Sequence, residues 1–243
     1  MSKIPPLLSS ALALPPESSL ILLTNILGAS TNWLVLRYLY SALLTNEETN
    51  VVLGLDLEKF ILKKRVVFVD GLEGLYVTQT PQKHVTMKST EQIMLSIRSA
   101  IRELQSSSGK KTLLVIDQLD LLLAMSGDES RPVQLGDMLL DLREEAHSVV
   151  VTMAADSPLV TEQETPLEIN HAALLLHTAH QADLTISLRL LDSGTARDVS
   201  GVIRITRGDV GFSKQDAAGK IEERELLYFV GGDGSVKVFE RGQ

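Results

Sequence analysis

The 243-residue chain has no cysteine, which excludes disulfides, thiolate zinc sites, iron–sulfur clusters and a cysteine nucleophile. Aromatic residues make up 4%, so a platform that stacks nucleic-acid bases has few rings to be built from. No segment reaches the roughly 18 apolar residues that a spanning helix requires. A soluble protein with no membrane contact is therefore expected. Positive charge is also short: 23 Lys and Arg stand against 31 Asp and Glu, a formal charge of −8. Such a field does not draw in phosphate backbones, so any nucleic-acid contact has to be local or shared with partner chains. The excess lies between about residues 50 and 196, while the last 47 residues balance at eight basic and eight acidic. Catalytic signatures are missing too. There is no G-x-S-x-G elbow for an esterase and no G-x-G-x-x-G for a dinucleotide.

What the chain does hold is 44% apolar and 22% charged residues, ordinary for a globular protein and ample for a buried core. The most informative stretch is Gly109–Met125, GKKTLLVIDQLDLLLAM. Its unbroken apolar run Thr112–Ile116 suits a strand buried on both faces of a parallel sheet. Asp117 then falls at the carboxyl end of that strand, the edge where open α/β sheets bind ligands. In P-loop ATPases the acidic Walker B residue that reaches magnesium occupies this position. On this stretch alone Asp117 better suits a plain cap for the next turn, since Asp favours such junctions.

Leu20–Ile26 is a second strong strand, followed by the turn Gly28-Ala29-Ser30-Thr31-Asn32 and an apolar helix over Trp33–Leu44, with Thr31 or Asn32 as its cap. A phosphate-binding P-loop would sit in that turn. The motif needs Gly, four residues, then Gly-Lys-Ser/Thr, because backbone amides cradle the phosphates and lysine neutralises them. This turn has one glycine and no lysine. Gly109-Lys110-Lys111-Thr112 does not replace it, since it precedes its strand and lacks the earlier glycine. Gly28, Ser30, Thr31, Asn32 and Asp117 remain as the candidates for a degenerate nucleotide pocket. No catalytic residue, metal ligand or cofactor is assigned.

Val51–Leu53 and Val66–Asp70 read as further strands, with a short helical Leu55–Lys64 between them. A parallel crossover usually takes a dozen or more residues, so the join at Leu53-Gly54 is abrupt; either residues are missing there or the crossover is truncated. Leu75–Ser89 reads as a loop and Thr90–Leu104 as an amphipathic helix. Ser126–Pro132 reads as a loop, Leu135–Ala146 and Leu167–Ala179 as helices, and Val149–Ala154 as a buried strand. This alternation indicates an α/β protein with a mostly parallel sheet. Beyond it, Leu184–Leu190, Gly201–Arg207, Glu225–Val230 and Val236–Glu240 are strands without helices between them. They read as an antiparallel hairpin extension, with Gly231–Gly234 as a turn.

The amino terminus has one lysine and two Pro-Pro pairs, little like a secretion signal. It reads as an extended arm over residues 1–19, apolar enough to dock on a neighbouring subunit or to fold back on its own domain, with docking expected. Residues 20–243 then form one domain, of which 196–243 are the hairpin extension. His171, His177 and His180 cluster near Asp183, but a zinc site needs three or four converging ligands and nothing else marks one. Helix-end or interface histidines are the expectation. Arg197, Arg204 and Arg207 could hold phosphate, but their alternation with apolar residues favours a solvated sheet face.

The tail, Ala196–Asp209 and Leu226–Arg241, resembles the carboxyl end of the sixth-subunit family of the eukaryotic Elongator complex. The LILLTNI strand, Ser30-Thr31-Asn32, the Trp33–Leu44 helix and Leu113–Leu123 (LLVIDQLDLLL) resemble it too. The resemblance covers most of the chain and is patchy through Leu55–Thr90. It implies a RecA-like ATPase fold without working Walker motifs. It also implies a hetero-hexameric ring with the fourth and fifth Elongator subunits, two copies of each. That ring binds transfer RNA and serves the modification of wobble uridines, whose chemistry a different subunit performs; a cytoplasmic location, with a nuclear one besides, is expected. The competing expectation is an active ATP hydrolase working through Asp117 and the Gly28–Asn32 turn.

Overall fold

The computed structural model describes residues 4–44, 61–63, 65–71, 90–108, 111–125, 132–192, 194, 196–208 and 221–241. Four strands form a parallel core: β1 (Ser19–Asn25), β2 (Leu113–Ile116), β3 (Ser148–Ala154) and β4 (Leu184–Arg189). Three more follow antiparallel: β5 (Gly201–Arg207), β6 (Arg224–Val230) and β7 (Val236–Phe239). The sheet order is β2-β3-β1-β4-β5-β6-β7. Asn25 pairs with Ala154 on one side and Leu188 on the other, while Ile116 pairs with Val151.

Side chains alternate across a strand, and the two faces of the central strands feed two cores. Leu20 and Leu22 of β1 join Val149, Val151 and Met153 of β3 under one set of helices. These are α2 (Thr90–Ser108), α3 (Leu119–Met125), α4 (Pro132–Glu145) and α6 (Pro166–Gln181). A four-residue α5 (Ser157–Val160) leads into α6. Ile21, Leu23 and Val150 face the other way, with Ile186, Ile203, Leu226 and Tyr228, toward α1 (Asn32–Leu44). There Trp33 tilts against Tyr228 with ring centroids 5.4 Å apart. α4 starts three residues earlier than its apolar spacing suggests, because proline at a first helical position is already set for a helix.

Three expectations change. The amino-terminal arm docks on its own sheet rather than on a neighbour. Leu8 and Leu12 are fully buried in the second core, and the Tyr38 hydroxyl donates to the Ala11 carbonyl at 2.7 Å. Its apolar residues find cover in the second core with residues of β5–β7 and α1. Second, Val66–Asp70 forms no ladder among the described residues; Phe68 is 79% exposed while Val69 packs on the first core. Third, β2 is not buried on both faces. Among the described residues it ends the sheet with β3 as its one neighbour, and three of its four residues are half-buried. The segments Val51–Leu53 and Leu75–Ser89, and most of Leu55–Lys64, lie outside the described residues.

Candidate functional site

β1, β3 and β2 end side by side, so the turn after β1 and Asp117 after β2 share the carboxyl edge of the sheet with β3 between them. Two strand spacings, roughly 10 Å, separate their strands. This is where a P-loop ATPase holds phosphate and metal. The sequence candidates reach the right edge, and their local bonding decides what they can do there.

The turn runs Ile26–Ala29, with the Ala29 N–H donating to the Ile26 carbonyl at 2.9 Å and Gly28 at φ 90°. That left-handed backbone is why glycine stands there. The side of Gly28 where a Cβ would project meets Leu190 at 3.5 Å. The Leu27 N–H donates to Oδ1 of Asp156 at 2.8 Å, and the Asn32 N–H to the Ser30 hydroxyl at 3.2 Å. Thr31 is buried, and its carbonyl accepts from Leu34 and Val35 to open α1. Ser30 and Asn32 are exposed. Three amides of this turn are therefore already bonded within the chain. One of them faces a carboxylate, whose negative charge stands where a phosphate would have to approach.

Asp117 is exposed, and Oδ1 accepts from the Thr152 hydroxyl of β3 at 2.6 Å. Thr152 Oγ1 in turn accepts from the Gln118 N–H at 2.7 Å. Gln118 has φ 56°, a conformation that costs about 1–2 kcal/mol for a residue with a Cβ. The Thr152 bonds on both sides of it hold that backbone in place. Asp117 is thus a carboxylate fixed on its own sheet by a neighbouring hydroxyl, more than the plain turn cap.

Asp120 was not among the sequence candidates. It lies in the first turn of α3, and Oδ2 accepts from the Ala154 N–H at 3.3 Å. His171 Nδ1 stands 4.0 Å from that oxygen, and its Nε2 donates to the Ala154 carbonyl at 2.9 Å. Burial pushes the Asp120 carboxyl up, opposed by the Ala154 N–H and His171, with Asp117 adding a small push upward. Among the described residues, Oδ1 of Asp120 is buried without a hydrogen-bond partner. Asp156 was also missed, although an Asp just after a buried strand is the same signal that marked Asp117.

The other sequence candidates are separate from this edge. His171 is buried as described, His177 lies against Gly136 and Gln181, and His180 is exposed at the end of α6. The three do not converge, and among the described residues no group of three His, Cys, Asp or Glu could hold a metal. Asp183 sits at the opposite, amino edge of the sheet. There its Oδ2 accepts from the Leu20 N–H at 2.7 Å and from Arg143 at 2.9 Å. Arg204 projects outward from β5 while Ile203 and Ile205 enter the core, the solvated-face alternative. Arg197 is exposed, and Arg207 is half-buried with its N–H on Glu223. No described helix is long and apolar enough to cross a membrane.

No family model matches the chain. In backbone it is similar to a KaiC-like protein from Pyrococcus horikoshii, with a TM-score of 0.56 and 13% identity over 92% of this chain and 90% of that one. That likeness shows the RecA-like fold. In sequence it is 25% identical to a protein of Schizosaccharomyces pombe over 249 residues, 95% of this chain and 94% of that protein. The relative is described as an Elongator complex protein 6 homolog. The resemblance read from the tail, the first strand–helix unit and the Leu113–Leu123 stretch therefore extends along nearly the whole chain: it is similar to Elongator complex protein 6, on a KaiC-like RecA fold.

Proposed function

We propose that this chain is a non-catalytic subunit of the Elongator complex. It joins the fourth and fifth subunits in a hetero-hexameric RecA-like ring, two copies of each, that holds transfer RNA for wobble-uridine modification in the cytoplasm, with a nuclear pool. The S. pombe relative supports membership in the complex by its name and its end-to-end match. The observation that carries the non-catalytic part is the turn after β1. It has no lysine, and its Leu27, Ala29 and Asn32 amides are bonded to Asp156, Ile26 and Ser30. Phosphoryl transfer rests on positioned positive charge and metal. Here the positive charge is missing and a carboxylate takes its place. Asp117 in its Walker B position is what favours the competing ATP hydrolase, but alone it supplies no phosphate contact.

The test is magnesium-dependent nucleotide turnover and binding by the pure chain. The expected outcome is neither. Turnover that disappears on Asp117→Ala would overturn the non-catalytic reading and favour the hydrolase.

A further inference from the structure

The helices over the first core differ on their outer sides. α6 carries no Lys, Arg or Asp, and its one glutamate, Glu168, is used in the capping box with Thr165. Its inner side buries His171, Ala172, Leu174, Leu175 and Thr178. Its outer side is largely apolar as well, with Ile169 and Leu176 each 51% exposed beside the exposed His177 and His180. Ile169 and Leu176 are seven apart, so they line one stripe of the helix. A helix that is apolar all round belongs where both sides are covered. α2 differs in charge, turning Glu91, Arg102 and Glu103 to solvent alongside a single exposed large apolar residue, Leu95.

α4 continues the same surface. Gly136 of α4 lies so close to His177 of α6 that a Cβ there would meet the ring at 2.5 Å, so the two helices share one outer face. On that face Val133 is 64% and Leu140 41% exposed. Large apolar side chains gathered in this way on a soluble protein mark an interaction site. The rim is acidic: Asp137 and Glu144 are exposed on α4, and Glu162 and Glu164 are exposed just before α6. Arg98 and Arg143, on α2 and α4, are engaged by Asp141, Glu145 and Asp183.

We propose that Ile169 and Leu176 of α6, with Val133 and Leu140 of α4, dock a helix of a different protein, apolar along one side and edged by lysine or arginine. Complementary charge selects that occupant, since it pairs with the acidic rim. A second copy of this chain would bring acid against acid, and such like-charge contacts work against a partner. The inference does not depend on which complex the chain belongs to.

The test uses the full chain and a labelled helical peptide of about five turns with leucine on one side and lysine at the edges. A matched peptide carries glutamate in place of lysine. Fluorescence anisotropy at physiological salt should give at least about tenfold tighter binding for the lysine peptide, a difference of about 1.4 kcal/mol. Ile169→Glu/Leu176→Glu should weaken it at least about tenfold, even though added acid would strengthen a purely electrostatic attraction. Ile169→Ser/Leu176→Ser, which leaves the charge unchanged, should weaken it in the same direction and serves if the glutamates disturb folding. Equal binding of the two peptides, binding of neither, or binding unchanged by both double variants would overturn the proposal. So would sedimentation showing that the chain self-associates through this face and that the serine pair abolishes it.

Discussion

Removing the amino-terminal arm should unfold the domain, and the size of the effect follows from what the arm buries. Leu8 and Leu12 are wholly inaccessible and Ala11 nearly so, all in the core beneath β5–β7 and α1. Two such leucines contribute roughly 1.5–3 kcal/mol each by burial. The Tyr38 hydroxyl loses its Ala11 acceptor, and burial already pushes that phenol's pKa upward, a sign of dry surroundings. An orphaned buried donor costs a further ~1–3 kcal/mol if water cannot reach it. The total, roughly 4–9 kcal/mol, is comparable with the ~5–15 kcal/mol stability of a whole domain. Urea melts followed by circular dichroism should lose their cooperative transition when residues 1–16 are deleted. The point variant Leu12→Ala should lower stability by about 2–5 kcal/mol, the usual cost of a buried leucine cavity. If the deletion instead melts within about 1 kcal/mol of the intact chain while assembly with partners fails, the burial reasoning is refuted, and the arm belongs on a neighbour.

Asp183→Ala should destabilise the fold by about 3 kcal/mol in the same melts, the low end for a broken buried pair because Arg143 is 24% exposed and can turn to water. Asp183→Asn, which keeps an acceptor for Leu20, should lose less, and equal losses would contradict the assigned bond. Asp120 gives a pH signature. Its folded pKa is raised by burial, so its contribution is fully present below the unfolded value near ~3.9 and fades as pH rises through the folded value. Asp120→Asn should therefore gain stability relative to the intact chain as pH climbs from about 3.5 to 7. A difference that stays flat or runs the other way would show that burial does not govern this carboxyl.

The central strands were legible because burial on both faces leaves a continuous apolar run: Leu20–Leu23 and Val149–Val151 are all inaccessible. The same signal misled at Val66–Asp70. Strand pattern records fitness for a pleated, half-buried surface and does not name a pairing partner. The arm was misjudged for a related reason, since Leu8 and Leu12 declare that they will be buried but not on whose surface. At the site, Asp117 and the Gly28–Asn32 turn were placed on the correct edge by chain order alone. Their partners were not legible, because Thr152 meets Asp117, and Asp156 meets Leu27, across strand ends set by register. Asp120 and His171 are 51 residues apart in sequence and come together through the packing of α3 and α6 on the end of β3. Neither helix periodicity nor composition carries that contact.

Ring membership is tested most directly by mass. The chain would be purified alone and after co-expression with the fourth and fifth Elongator subunits, and each sample weighed by native mass spectrometry. Alone, it should not form the ring; together, the three chains should give one species holding two copies of each. A chain that stays outside any assembly with those subunits, or one that closes a ring from its own copies, would contradict the proposed function.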